Sequence, residues 1–99
     1  MAGLPARLEL IDGHWQSLKD KPWDWNTVAE LHRSVHGLVG SSGTLGLREV
    51  SVIARDLEDI CNQWLGARNI IPGSEARARL QKGLSALVGA VAIAQEQPE

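Results

Sequence analysis

Apolar residues recur along the chain at alternating spacings of three and four, a period typical of amphipathic helices and not of strands. Four such stripes follow one another. They comprise Leu4, Leu8, Ile11, Trp15 and Leu18; Val28, Leu31, Val35, Leu38 and Ser42; Leu47, Val50, Ile53 or Ala54, Leu57, Ile60 or Cys61, and Trp64; and Ala76, Leu80, Leu84, Leu87, Val91 and Ala94. The pattern therefore predicts four helices and no strand.

Proline, glycine and capping residues separate the stripes. Pro22 closes the polar stretch after the first stripe, and Asp24 is placed as the N-cap of a second helix from about Trp25 to Thr44. Gly66 follows the third stripe in a position suited to a left-handed C-cap, and Pro72 precedes the fourth. Each stripe is therefore expected to form its own helix.

Helices of roughly 17 to 22 residues joined by short loops have compatible lengths, and short loops make neighbouring helices antiparallel. We therefore predict an all-α, antiparallel up-down-up-down four-helix bundle formed by residues 1–95 as one domain. Residues 96–99 are expected to form a tail or linker, leading to further domains if the chain is cut from a longer protein. The uncharged run from Gly83 to Ala94 in the fourth helix also indicates a covalent or non-covalent neighbouring domain as a partner.

Composition narrows the classes of function. The formal net charge of −2 leaves no basic excess for a run of phosphates, which argues against a nucleic-acid partner. The uncharged run from Gly83 to Ala94 is shorter than the ~20 residues that cross a bilayer, so no membrane partner is expected. A single cysteine, Cys61, and the absence of a signal peptide at the start of the chain favour a reducing, cytoplasmic location.

One histidine of the second helix lies off the apolar stripe. At 100° per residue His36 is placed about 120° from the centre of the stripe, at the edge of solvent. Gly40 and Gly43 share its face, and Gly37 is its neighbour in sequence. Because a glycine inside a helix costs about 1 kcal/mol relative to alanine, these glycines indicate that a partner must approach the imidazole closely.

The residues around this histidine resemble a known family. The run His36-Gly37-Leu38-Val39-Gly40-Ser41-Ser42-Gly43-Thr44-Leu45-Gly46, with Ala54-Arg55-Asp56-Leu57-Glu58 on the next helix, is similar to the histidine-containing phosphotransfer domain of bacterial two-component phosphorelays. The resemblance covers residues 25–64 in sequence and the whole chain in the number of helices.

The resemblance implies a stoichiometric phosphocarrier and not an enzyme. His36 would accept a phosphoryl group from the aspartate of a response-regulator or hybrid-kinase receiver domain and pass it to another receiver. The chain would need no cofactor or metal of its own, because the receiver would contribute Mg²⁺. Many members of the family carry a lysine where this chain has Val39, and Arg33 is the cation expected to replace it. The expected partner-binding residues are His32, Arg33, Gly37, Val39, Gly40 and Gly43.

Other interpretations of the same residues remain open. His36 alone could be an ordinary surface histidine, and His32 and His36 have the spacing of two metal ligands on a helix, although a third and a fourth are missing. The glycine-rich run 40–46 lacks the preceding strand and the following Gly-Lys-Ser/Thr of a nucleotide-binding loop. The main alternative function is an interaction module that binds and modulates a receiver without being phosphorylated.

Overall fold

The computed structural model describes residues 3–96, which form four helices and no strand. The helices are α1 (Gly3–Asp20), α2 (Trp25–Thr44), α3 (Arg48–Leu65) and α4 (Ser74–Glu96). The predicted all-helical fold is confirmed over this range, and the bounds of α2 agree with those expected from the sequence. The described chain is elongated, with principal extents of 46 × 22 × 21 Å.

Asp24 caps α2 as its position in the sequence predicts. Its backbone is extended, with φ −130° and ψ 115°, and its side chain accepts a hydrogen bond from the Asn26 amide at 3.0 Å. The Thr27 hydroxyl donates a second bond, 3.2 Å long, to the other carboxylate oxygen. The carboxylate thus satisfies a free N–H group of the first turn and lies at the positive end of the helix.

The left-handed glycine lies at the end of α2 and not at the end of α3. Gly46 has a φ of 74°, and the Leu47 amide reaches back to the Ser42 carbonyl at 2.8 Å, while the Gly46 amide bonds Gly43. These two bonds form a Schellman motif, which turns the chain sharply into α3. Gly66 has a φ of −76°, so the predicted left-handed cap at Gly66 is wrong. Its amide instead continues the helical pattern by bonding the Asn62 carbonyl.

Apolar residues from all four helices form one continuous core. Its largest fully buried side chains include Trp15, Ile11, Leu31, Leu38, Leu57, Leu80 and Leu87. The single buried polar residue among those described, Ser42, donates to the Leu38 carbonyl at 2.7 Å, which satisfies its hydroxyl inside the helix. A Cβ atom at Gly83 would lie 2.6 Å from Leu57 Cδ2, so this glycine permits the close approach of α4 to α3.

Four tryptophans fill one end of the molecule. Trp15 and Trp64 have ring centroids 6.3 Å apart, and Trp23 lies 5.7 Å from both Trp25 and Trp64 in edge-to-face geometry. The Trp15 indole N–H donates to Gln81 of α4 at 2.7 Å. Trp23 and Trp25 thus cover this end of the bundle.

The C-terminal half of α4 leaves two large apolar side chains exposed. Val88 and Ile93 are 54% and 53% exposed, and a Cβ atom at Gly89 would meet nothing within 4 Å. The neighbouring domain expected to cover this helix stays a prediction. α4 continues through Glu96, and the rest of the predicted tail, 97–99, lies outside the described residues. None of the helices in the range 3–96 combines the length and the apolar character that a membrane span needs.

Candidate functional site

His36 stands near the middle of α2 on an exposed surface. Its side chain is 69% exposed, whereas Val35 and Leu38 of the same helix are completely buried. The core side chains thus fix the rotation of α2 and direct residue 36 outwards. The predicted placement of His36 at the edge of solvent is confirmed.

Glu58 of α3 faces the His36 imidazole across the groove between α2 and α3. A carboxylate oxygen of Glu58 forms a hydrogen bond with His36 Nδ1, and the Glu58 side chain is only 16% exposed. An ionised carboxylate can only accept, so the bond requires the imidazole proton on Nδ1. The other ring nitrogen, Nε2, then keeps a free lone pair on a ring that is open to solvent. In this arrangement Nε2 is the ring nitrogen that can act as a nucleophile.

His32 lies one turn before His36 and contacts the same carboxylate. The two imidazole rings are stacked, with centroids 6.3 Å apart and planes inclined by 15°. His32 Nε2 is buried, lies 3.8 Å from the Glu58 oxygen and has no hydrogen-bond partner among residues 3–96. His32 thus lies beside Glu58 at the edge of the core, and its side chain is less exposed than that of His36.

The surface on the C-terminal side of His36 carries almost no side chains. Gly40 and Gly43 are exposed, and a Cβ atom at either position would meet nothing within 4 Å inside the chain. Arg33, one turn before His36, is also exposed. Val39 differs from these residues because it is half-buried and packs against the core. The site is therefore an open imidazole beside a bare stretch of helix, flanked by one arginine of α2.

A second arginine comes from α1. A Cβ atom at Gly37 would lie 2.5 Å from Arg7 Nη1 and 3.6 Å from Arg7 Cζ, so the guanidinium rests on the α2 backbone next to His36. Arg7 is half-buried there. The missing side chain of Gly37 thus makes room for Arg7 of the same chain, whereas the missing side chains of Gly40 and Gly43 leave open space at the surface.

Cys61 lies one turn beyond Glu58 in the core. Burial, and to a lesser extent the nearby Glu58 charge, raises the pKa of the Cys61 thiol to about 12. The thiol is therefore neutral at physiological pH, and it acts as a small apolar core group and not as a nucleophile or a metal ligand.

The donor atoms near His36 do not fit a Mg²⁺ site. Magnesium prefers an octahedron of oxygen ligands, whereas the site offers two imidazoles and one carboxylate that is already bound to His36. In the part of the chain that the structure describes, no three histidine, cysteine or acidic side chains are grouped to hold a metal ion.

Two residues of the site were not assigned a role from the sequence. In the sequence Glu58 is only the last residue of the motif on the third helix, and its position beside the apolar stripe of that helix is the available signal. Arg7 carried no signal, because its contact with Gly37 depends on how α1 lies against α2.

Comparison with known proteins gives one match. The family model for the Hpt domain matches residues 2–90, which is most of the chain. No curated protein and no solved structure matches it.

Proposed function

This chain belongs to the Hpt domain family, and from that premise we propose that it carries a phosphoryl group on His36 between receiver domains of a two-component phosphorelay. The proposed donor is the phosphorylated aspartate of a receiver domain, in a response regulator or a hybrid histidine kinase. The acceptor is the aspartate of a second receiver. The protein would act stoichiometrically in the bacterial cytoplasm, without ATP-dependent kinase activity of its own.

The proposed arrangement of the helices is an antiparallel, up-down-up-down bundle. The connections between consecutive helices span 21–24, 45–47 and 66–73, which favours antiparallel neighbours. In this arrangement His36 lies on a rigid helix, so transfer would require the docking of two preformed surfaces and little internal motion.

The observation that carries the proposal is the hydrogen bond between His36 Nδ1 and Glu58. In the proposed transfer, the Nε2 lone pair attacks the phosphorus of the acyl phosphate. The N–P bond forms, the P–O bond to the aspartate breaks, and the aspartate leaves as a carboxylate. The ring gains positive charge as Nε2 donates its electron pair, and the Glu58 carboxylate faces that charge through the Nδ1 proton.

The reverse step discharges the carrier. A carboxylate oxygen of the second receiver attacks phosphorus, the N–P bond breaks, and the electron pair returns to Nε2. Glu58 keeps the proton on Nδ1 throughout, so no proton has to move during either step. The Mg²⁺ that neutralises the phosphoryl oxygens is proposed to belong to the receiver.

The test is phosphorylation by a panel of receiver domains charged with acetyl phosphate, followed by intact mass measurement before and after mild acid. We expect one acid-labile phosphoryl group on the parent protein and none on His36→Gln. His14→Gln is the matched control, because it removes a histidine of α1 and should leave labelling unchanged. Binding of receivers without any phosphoryl gain would contradict the carrier role and favour the interaction module.

A further inference from the structure

Glu58 lies between two imidazoles and has no lysine or arginine partner. Its carboxylate oxygen Oε2 accepts from His36 Nδ1 and lies 3.8 Å from His32 Nε2. Among residues 3–96, the ion pairs of Glu58 within 4.0 Å are those with these two histidines. Since the Glu58 side chain is only 16% exposed and a covered charge is costly without donors around it, each N–H group beside it affects where the carboxylate lies.

His32 is the more covered of the two histidines. Its side chain is 25% exposed, against 69% for His36. His32 Nε2 is buried and has no hydrogen-bond partner in the part of the chain that the structure describes. A shift of about 0.6 Å would bring it within ~3.2 Å of the Glu58 oxygen, the upper limit of an ordinary N–H···O bond. Glu58 is therefore the acceptor within reach of this buried nitrogen.

The charge of Glu58 sets the tautomer of His32. An ionised carboxylate accepts and cannot donate, so a lone pair on His32 Nε2 would face another lone pair, whereas an Nε2–H group faces an acceptor. The buried Nε2 therefore carries the proton, and the other ring nitrogen, Nδ1, keeps the lone pair. In this form His32 is neutral, so it attracts the carboxylate without cancelling the negative charge beside His36.

We infer that His32 is a positioning residue for phosphoryl transfer on His36, because its Nε2–H group holds the Glu58 carboxylate beside His36 Nδ1. This inference rests on the proposed function. The two rings are nearly parallel, inclined by 15°, and both turn a nitrogen towards the same oxygen of Glu58. In this role His32 touches neither the phosphoryl group nor the receiver, and it acts through Glu58.

The position of Glu58 is transmitted directly to the reacting nitrogen. In the range 3–96, Glu58 is the hydrogen-bond partner of the exposed His36 ring, so a displaced carboxylate leaves that ring without an orienting contact. A glutamate side chain has several rotatable bonds and is free to turn towards solvent unless it is held. A carboxylate held by His32 is already in place when positive charge develops on the His36 ring, so it need not be reoriented during transfer.

The experiment replaces His32 by a side chain that lacks the donor and by one that keeps it. His32→Leu removes the N–H group, whereas the side-chain amide in His32→Gln can still donate to Glu58. His14→Leu is the matched control, because it removes a half-buried histidine from α1. Each variant is charged by a receiver domain and by phosphoramidate, a small donor that reaches His36 without protein docking. The ¹⁵N chemical shifts of the His36 ring are recorded in the same variants without any donor.

We expect His32→Leu to lower the fraction of His36 that is protonated on Nδ1. It should also slow labelling by about 2- to 10-fold with both donors, which is the effect of one hydrogen bond. His32→Gln should restore most of the parental rate and ring shifts. Because His32 acts through Glu58, adding His32→Leu to Glu58→Gln should cause little further loss. His14→Leu should match the parent in every measurement.

Three results would overturn the inference. Parental ring shifts and labelling rates in His32→Leu would show that Glu58 needs no support from His32. Slower transfer from the receiver alone, with parental labelling by phosphoramidate, would make His32 a contact for the partner. A loss in the double variant equal to the product of the two single losses would show that His32 acts independently of Glu58.

Failure of the proposed function has a different signature. Labelling of the parent by phosphoramidate but by no receiver would refute transfer between receivers. The ring shifts and the phosphoramidate rates would still decide whether His32 positions Glu58, because neither measurement involves a receiver.

Discussion

The open surface at Gly40 predicts that adding one methyl group there, in Gly40→Ala, raises the stability of the protein and slows phosphotransfer. A Cβ atom at Gly40 would meet nothing within 4 Å, so Gly40→Ala adds no clash inside the chain. Replacing a glycine by alanine in a helix interior stabilises it by about 1 kcal/mol. For a domain of this size that corresponds to a rise in Tm of about 4–8 °C.

The same methyl group lies one turn beyond His36, where the proposed function requires a receiver to approach the imidazole. Inserting a methyl group into a close-packed contact costs about 1–3 kcal/mol. Since each 1.36 kcal/mol is a factor of ten in rate, we expect transfer from a receiver to slow by about tenfold or more. Labelling by phosphoramidate, which is much smaller than a receiver, should be nearly unchanged.

Gly89→Ala is the matched control for Gly40→Ala. Gly89 also lies inside a helix with no atom within 4 Å of its Cβ position, but on α4 and away from His36. Gly89→Ala should raise Tm by a similar amount and leave phosphotransfer intact. Thermal unfolding followed by circular dichroism and the receiver assay measure the two effects. A parental transfer rate in Gly40→Ala would refute the idea that this glycine provides clearance for a partner, and a lower Tm would refute the helix-propensity argument.

Three further predictions concern single contacts. Glu58→Gln replaces a charged hydrogen bond to His36 by a neutral one, so phosphoryl transfer should slow by about fivefold. The ¹⁵N chemical shifts of the His36 ring should show less of the form protonated on Nδ1. Unchanged shifts would contradict the orienting role of Glu58. Asp24→Ala removes the cap of α2 and should lower the free energy of unfolding, measured in urea, by about 1 kcal/mol. An unchanged midpoint of the urea transition would contradict the capping role. Because the pKa of Cys61 is raised from 9.0 to about 12, an unfolded thiol ionises first, and stability should fall as pH rises from 9.0 towards 12. Cys61→Ala should lack that part of the alkaline loss, and an equal loss in both proteins would argue against a buried neutral thiol.

The helices and the exposure of His36 follow from local rules. The apolar stripes identified the buried side chains of α2, because a rigid helix fixes which residues share a face. Asp24 could be identified as the cap because its carboxylate accepts from groups only two and three residues away, the Asn26 amide and the Thr27 hydroxyl. Interactions between residues this close along the chain can be predicted from the sequence alone.

The parts that the sequence did not predict depend on contacts between helices or on the path of the chain after a helix. Glu58 reaches His36 only in the register that α2 and α3 adopt, and the position of Arg7 on Gly37 depends on how α1 lies across α2. Glycines follow both α2 and α3, yet only Gly46 is left-handed, because the chain must turn there into α3 within three residues. After α3 the connection is longer, so Gly66 is not forced into that conformation.

His36 and Glu58, the proposed reactive pair, belong to a single helical hairpin, which affects how the molecule folds. His36 and Glu58 are 22 residues apart, on helices joined by residues 45–47, so the loss of chain entropy on bringing them together is small. Contacts of such short range form early and quickly in folding. His36 and Glu58 can therefore come together before α1 and α4 have docked. The two residues to which the proposed chemistry is assigned thus lie in one hairpin, whereas α1 and α4 complete the core around it.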